Sequence, residues 1–246
     1  MDRRAWLDER RAVVELDYTR DAPDYETGNY PISDTHRAFV ARVVEACPPD
    51  GIVLDVPCGT GRYFELVVGA GRRVVGADQS AGMVEQARAR KLAESVERTG
   101  LQELASANAF DGVLCIDAME HVPPDDWPLV VHNLARALRA DGLLYMTLEV
   151  LANQQARVDR ALAEAHARGL PAVRGEDVGE DTGGYHFYPS GEQITTWLVG
   201  SGLRIVEDVT DLSYGDWGYR HLLLQHASRE SGPQLDQAGT SGGAFR

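Results

Sequence analysis

No stretch of the chain approaches the run of about 20 apolar residues that a membrane-spanning helix requires, so an integral helical membrane protein is not expected and no membrane partner is called for. Cysteine is scarce. Cys47, Cys58 and Cys115 fall at spacings that match neither a disulfide framework nor a zinc site, and they read as three reduced thiols. Basic residues are outnumbered, 24 Lys and Arg against 38 Asp and Glu, and the resulting formal charge of −14 has no Lys/Arg cluster to offset it. Such a surface repels polyphosphate backbones, which argues against nucleic acid as a partner. The N-terminus lacks the apolar core of a secretory signal, since Met1-Asp2-Arg3-Arg4 leads straight into Leu7-Asp8-Glu9-Arg10-Arg11; a cytoplasmic location is the expectation. The acidic pair Asp125-Asp126 before Trp127 has no third ligand at a fixed spacing, so it reads as a helix cap, and no catalytic metal is expected.

What is present is an ordinary globular composition, 43% hydrophobic and 25% charged, on 246 residues, enough for one well-buried domain. Short β-branched runs alternate with helical patterns over residues 32–226, which predicts an α/β fold, doubly wound on a mostly parallel sheet. Strands are expected at Gly51–Asp55, Arg73–Asp78, Gly112–Asp117, Leu143–Leu148, Leu203–Val206 and His221–Leu224, with a further short one just before Gly100. Helices are expected from Ser80, a candidate cap, to about Glu94, and from Asp126 to Arg139. Outside the alternation lie an N-terminal helix and loop (1–31), expected as a lid, and an insertion at about 151–188. The core is expected to span 32–227, followed by a disordered Gly/Ser/Gln-rich tail at 228–246.

The most informative segment is Val53-Leu54-Asp55-Val56-Pro57-Cys58-Gly59-Thr60-Gly61-Arg62, a strand that ends in an acid and turns through two glycines into a helix. Gly59 and Gly61 let the backbone turn tightly beneath a ligand. Such a turn also suits a nicotinamide dinucleotide, but the third glycine of that fingerprint is missing. Phe64 stands nearby, where it is expected to crowd helix against strand. Asp55 would repel a pyrophosphate and attract a ligand that carries a sulfonium and an ammonium. Asp78 ends the second strand, where an acid accepts ribose hydroxyls in either case.

The segment Leu54 to Gly61 resembles the first motif of class I S-adenosylmethionine-dependent methyltransferases, and Val75-Gly76-Ala77-Asp78-Gln79-Ser80-Ala81-Gly82-Met83 resembles their second-strand motif. The run Phe110 to Val122, with Asp117-Ala118-Met119-Glu120-His121, is similar to their fourth-strand motif, and Leu138-Arg139-Ala140-Asp141-Gly142-Leu143-Leu144 to their fifth-strand entry. Four motifs in order over residues 36–150 imply a seven-stranded Rossmann-like methyltransferase fold. They also imply S-adenosyl-L-methionine as cofactor, with S-adenosyl-L-homocysteine as product, and cofactor contacts from Asp55, Pro57, Gly59, Gly61, Asp78, Gln79, Met83, Asp117 and Met119. Two positions depart from the pattern. Pro57 replaces a glycine, which fixes φ and removes one donor. Gly100-Leu101-Gln102-Glu103-Leu104 stands where many relatives carry Gly-Asp with the acid facing the adenine, so Leu101 is expected against the ring, with backbone groups or Gln102 supplying polarity. Upstream, Tyr18-Thr19-Arg20-Asp21-Ala22-Pro23-Asp24-Tyr25 resembles a segment that closes over the cofactor, which adds Tyr18 and Tyr25.

Methyl transfer from a sulfonium is an in-line displacement governed by alignment, and a base is needed mainly for a hydroxyl or charged amine acceptor. Two histidines are placed to act as one, His186 and His121, the latter also readable as a loop-orienting residue. Glu149, Tyr185, Tyr188 and Trp217 complete a possible acceptor pocket, each aromatic also being a candidate for plain core packing. The expected reaction is methylation of an O or N atom of a small molecule, such as a secondary metabolite, by a monomer or homodimer. A dinucleotide-dependent oxidoreductase and a cofactor-binding protein without turnover remain alternatives.

Overall fold

The computed structural model describes residues 1–28, 31–179 and 184–227; the expected tail at 228–246 lies outside them. Two helices, α1 (Arg3–Asp21) and the single turn α2 (Tyr25–Gly28), precede α3 (Asp34–Ala46). The alternation then begins with β1 (Ile52–Asp55), α4 (Phe64–Gly69), β2 (Arg73–Asp78), α5 (Ala81–Ala89) and β3 (Ser95–Arg98). It continues through β4 (Phe110–Cys115), α6 (Trp127–Ala137) and β5 (Leu138–Leu151). The expected insertion holds α7 (Gln154–Ala167) and a hairpin of β6 (Glu176–Val178) and β7 (Tyr185–Phe187), and α8 (Gly191–Gly200), β8 (Leu203–Asp211) and β9 (Trp217–His226) close the described chain.

Seven strands form one mixed sheet in the order β3-β2-β1-β4-β5-β9-β8, and β9 alone runs antiparallel to its neighbours β5 and β8. The expected α/β class and mostly parallel sheet are what the structure has. The reversal follows from chain length: only Leu212–Asp216 separates β8 from β9, too short for the crossover of a dozen or more residues that a parallel pair needs. The central strands bury both faces, as strands covered by helices on either side must. Leu54, Val113, Leu144 and Met146 face a core with α1 and α6, while Val53, Leu114, Tyr145 and Leu223 face one with α3 and α4.

Ser80 caps α5 as expected by accepting from the Met83 amide at 3.2 Å, but the helix ends at Ala89, short of Glu94, because Lys91 enters the left-handed region (φ 57°). Asp126 stands at the N-cap position of α6 without a side-chain capping bond, contrary to expectation. Its carboxylate is taken by Arg4 at 2.7 Å and by Gln102 at 3.3 Å, and Asp125 pairs with Arg3. The acidic pair therefore ties α1 to the domain. Phe64 does not crowd the turn. Its buried ring lies over Gly61 and Gly76, where a Cβ would come within 2.5 and 2.7 Å of it, so a glycine on β2 supplies the room that the missing third glycine would have given. Cys47, Cys58 and Cys115 are free and buried.

Candidate active site

At the carboxyl ends of β1, β2 and β4 lies a cleft of about 920 Å³, counting the part open to solvent. This is where an open α/β sheet leaves a crevice beside its switch in strand order. The loop after β1 forms its floor. Gly59 (φ 51°) has no atom within 4 Å of where a Cβ would be, and Gly61 (φ 78°) turns the chain towards α4. The Val56–Pro57 peptide is cis. Asp78 accepts the Gly59 amide at 2.9 Å through one oxygen and the Ser80 amide at 2.8 Å through the other, which ties the end of β2 to that loop.

Ten of the residues expected at a cofactor line this cleft: Tyr18, Tyr25, Pro57, Gly59, Asp78, Gln79, Met83, Leu101, Gln102 and Asp117. Three do not. Gly61 lies under the Phe64 ring, Met119 is wholly in the core, and Asp55 is fully buried beneath the loop. Neither oxygen of Asp55 has a hydrogen-bond partner, and burial, reinforced by Asp78 and Asp117, raises its pKa well above the usual 3.8. A buried carboxylate without a partner favours a cation close by. The expected contacts of Leu101 and Gln102 are only partly met: Leu101 is on the wall, but the Gln102 amide is spent on Asp126.

His121 sits at the end of the cleft, between α1 and the insertion. Its Nδ1 is 3.1 Å from the Tyr185 carbonyl, which can only accept, so Nδ1 carries the proton. Nε2 then accepts from the Tyr18 hydroxyl at 2.9 Å, a phenol that burial keeps protonated. Burial, and then the neighbouring His186, pushes His121 down to about 4. With both nitrogens engaged, this imidazole bonds α1 on one side and β7 on the other.

His186 on β7 is different. Its ring centroid is 5.1 Å from that of His121, its side chain is 40% exposed, and its Nδ1 lies 3.8 Å from Glu149 Oε2 and 3.4 Å from the Tyr188 hydroxyl. Tyr188 in turn donates to Glu149 Oε1 at 3.2 Å. Glu149, Tyr188 and His186 are thus brought together. Tyr185 is not with them: its buried hydroxyl donates to Glu176 at 2.7 Å, in the contact that holds Arg3. Trp217 stacks on Tyr214 with centroids 4.5 Å apart at the start of β9, as one side of an aromatic group with Tyr219.

Several wall residues carried no signal in the sequence. Arg11 reaches from α1 to Gln79 at 3.0 Å and pairs with Glu103, and Thr60 bonds Glu26 of α2, which Arg90 also holds. Among the described residues no group of three or more His, Cys, Asp or Glu could hold a metal ion, and no helix is long and apolar enough to cross a membrane.

Comparison with known proteins agrees with this geometry. A family profile described as "Methyltransferase domain" matches residues 53–142. The chain is 30% identical over 184 residues to a ubiquinone biosynthesis O-methyltransferase of Xanthomonas axonopodis pv. citri, covering 72% of each chain. It is 32% identical over 179 residues to the protein of that name from Xanthomonas oryzae pv. oryzae, covering 70% of each. Among solved structures, the 1,6-didemethyltoxoflavin-N1-methyltransferase of Burkholderia thailandensis, with S-adenosylhomocysteine bound, superposes with a TM-score of 0.65 at 16% identity over 90% of both chains. The magnesium protoporphyrin IX methyltransferase of Synechocystis PCC 6803 does so at 0.62 and 19% identity, over 89% of this chain and 100% of its own. The dinucleotide alternative falls with these matches. The chain belongs to the class I S-adenosylmethionine-dependent methyltransferases, and S-adenosylmethionine is its methyl donor.

Proposed function

We propose that this methyltransferase acts on a hydroxyl oxygen of a small, uncharged aromatic acceptor, with His186 as the base and Glu149 as its partner. The observation that carries the reading is the contact of His186 with Glu149 and Tyr188, half-exposed and one ring away from the cleft wall at His121. A carboxylate near Nδ1 holds a proton on that nitrogen and stabilises the imidazolium, which frees Nε2 to take the hydroxyl proton of an acceptor. When bound, S-adenosylmethionine supplies the activated methyl group, and its sulfur leaves as a neutral thioether. The chain's own work is to bind and align. Asp78, Gln79, Met83 and Leu101 form the nucleoside end of the cleft, Pro57, Gly59 and Asp117 the amino-acid end with Asp55 beneath it, and Tyr18 and Tyr25 the cover. The similarity to ubiquinone biosynthesis O-methyltransferases supports an oxygen acceptor. The rings of Trp217, Tyr219 and Tyr188, together with the net negative charge, support one that is aromatic and not polyanionic.

The test is transfer of labelled methyl from S-adenosylmethionine to a panel of phenols and catechols. His186→Ala is expected to lower kcat about 10²- to 10⁴-fold, the range for loss of a general base, with the donor KM unchanged. An unaltered kcat for this variant on an accepted phenol would rule out the base.

A further inference from the structure

A third histidine, on the α3 face of the sheet, lies behind a residue of this cleft, Asp117. His36 in the first turn of α3 is 3% exposed, and its Nε2 lies 3.5 Å from Asp117 Oδ1 with no hydrogen-bond partner. The other nitrogen, Nδ1, is 2.7 Å from Ser33 Oγ. That oxygen already accepts the His36 backbone amide at 3.2 Å, so its hydroxyl proton is free to go to Nδ1. This leaves the imidazole proton on Nε2, facing the carboxylate, whereas the opposite tautomer would set a lone pair against it. The ring is fixed in place by Tyr63, Tyr145, Tyr219 and His221, whose centroids lie 6.3, 6.4, 5.2 and 4.9 Å away.

Asp117 follows β4 in the left-handed region (φ 52°), which an Asp tolerates better than most residues but which still needs support from its surroundings. Thr147 on β5 gives part of it, accepting the Asp117 amide at 2.8 Å and donating to Oδ1 at 3.4 Å. Oδ1 therefore accepts from Thr147 and has the His36 ring nitrogen 3.5 Å away, while the residue itself lies on the cleft wall with Pro57, Gly59 and His121.

We propose that His36 is a positioning residue of the donor site: with Thr147 it fixes the Asp117 carboxylate so that its second oxygen, Oδ2, receives the cationic amino-acid end of S-adenosylmethionine. The inference rests on the donor cleft described above and adds to it a residue outside all four sequence motifs. Neither an ammonium nor a sulfonium needs a protonated partner, so the role asked of His36 is geometric: one N–H kept beside one oxygen, 3.5 Å from it. Loss of that N–H lets the Asp117 carboxylate swing and weakens the charge-assisted contact it makes.

Calorimetric titration of S-adenosylmethionine and S-adenosylhomocysteine into the whole protein tests this without any acceptor. His36→Phe, which keeps a ring among the four aromatic neighbours, is expected to weaken S-adenosylmethionine binding about tenfold. His36→Gln, which can still donate to Asp117, is expected to stay within about threefold of wild type. In an Asp117→Asn background the His36→Phe change should have no further effect. Equal loss for S-adenosylhomocysteine identifies the ammonium as the group received, and loss confined to S-adenosylmethionine identifies the sulfonium; both support the inference. If His36→Phe does not fold by circular dichroism, Thr147→Val takes its place in the same cycle, since it removes the other hold on Oδ1. Unchanged affinity in a folded variant, or a loss that adds fully to that of Asp117→Asn, would overturn the inference alone. Absence of binding by the wild-type protein would overturn the donor assignment as well.

Discussion

At Asp55 the protein keeps a carboxylate where folding alone would not put one. It is fully buried with both oxygens unpartnered, and burial raises its pKa from the usual 3.8. The consequence for stability has a definite sign. In the unfolded chain the group ionises from its ordinary value upwards, whereas in the folded chain it holds its proton to a higher pH. The stability tied to that proton is therefore complete below about pH 3.8 and is lost as the pH climbs through the folded value. Asp55→Asn removes the dependence. In the absence of cofactor this variant should melt higher than wild type at pH 7 to 8, by roughly 2–8 °C for a gain of one or two kcal/mol. The two melting temperatures should converge as the pH approaches 4, and S-adenosylmethionine binding should weaken in the variant. A scan of melting temperature against pH, with and without cofactor, checks all three. The two neighbouring histidines also differ: His121 has both nitrogens bonded, while His186 has a carboxylate and a phenol beside Nδ1.

At the scale of elements, the cleft depends on pieces of chain that the parallel sheet does not itself require. Helix α1 reaches the β6-β7 hairpin through Arg3, which donates to both Glu176 oxygens, at 3.1 and 2.8 Å, and to the Pro171 carbonyl at 2.7 Å. Tyr185 donates to the same wholly buried Glu176 at 2.7 Å, and its carbonyl holds His121. Thus one ion pair links α1, the hairpin that carries His186 and the loop after β4. Arg3→Ala strands a buried carboxylate and should cost about 3 kcal/mol, a fall of roughly 6–12 °C in melting temperature. In a Glu176→Gln background the same change should cost under about 1 kcal/mol. Thermal melts of the four proteins of this cycle measure the coupling, and additive losses would show that the contact is incidental. The sequence placed a helix and loop at 1–31 and an insertion at 151–188, but pairing them needed Arg3, Asp125 and Glu176 to meet across more than a hundred residues of chain.

For the molecule as a whole, the excess of acidic groups acts on whatever approaches the cleft. A net charge of −14 repels anions over a distance that added salt shortens. Rates on a carboxylated phenol should rise several-fold between about 20 and about 200 mM salt through a falling KM, whereas those on an uncharged phenol of similar size should stay flat. Steady-state kinetics at a few ionic strengths decide the matter, and identical salt profiles for the two acceptors would remove charge as a selector.

The fold class and the donor loop were legible in one dimension, because they rest on local requirements. A strand that ends in Asp55, positive φ at Gly59 and Gly61, and a second acid at Asp78 are needs of a few consecutive residues, and the alternation of apolar runs sets the sheet that carries them. The antiparallel β9 was less visible, because the direction of a strand depends on the length of the connection and not on its own pattern. The place made for Phe64 by Gly76 joins positions on separate strands. His36 was missed altogether, since nothing near it in sequence marks it, and only the packing of α3 against the ends of β4 and β5 brings it to Asp117. The sequence by itself determined the donor loop and the acids that flank it, because each is a need of a few consecutive residues. The tertiary structure decided which ring nitrogens are already engaged, as both are at His121, because those contacts join residues far apart in the chain.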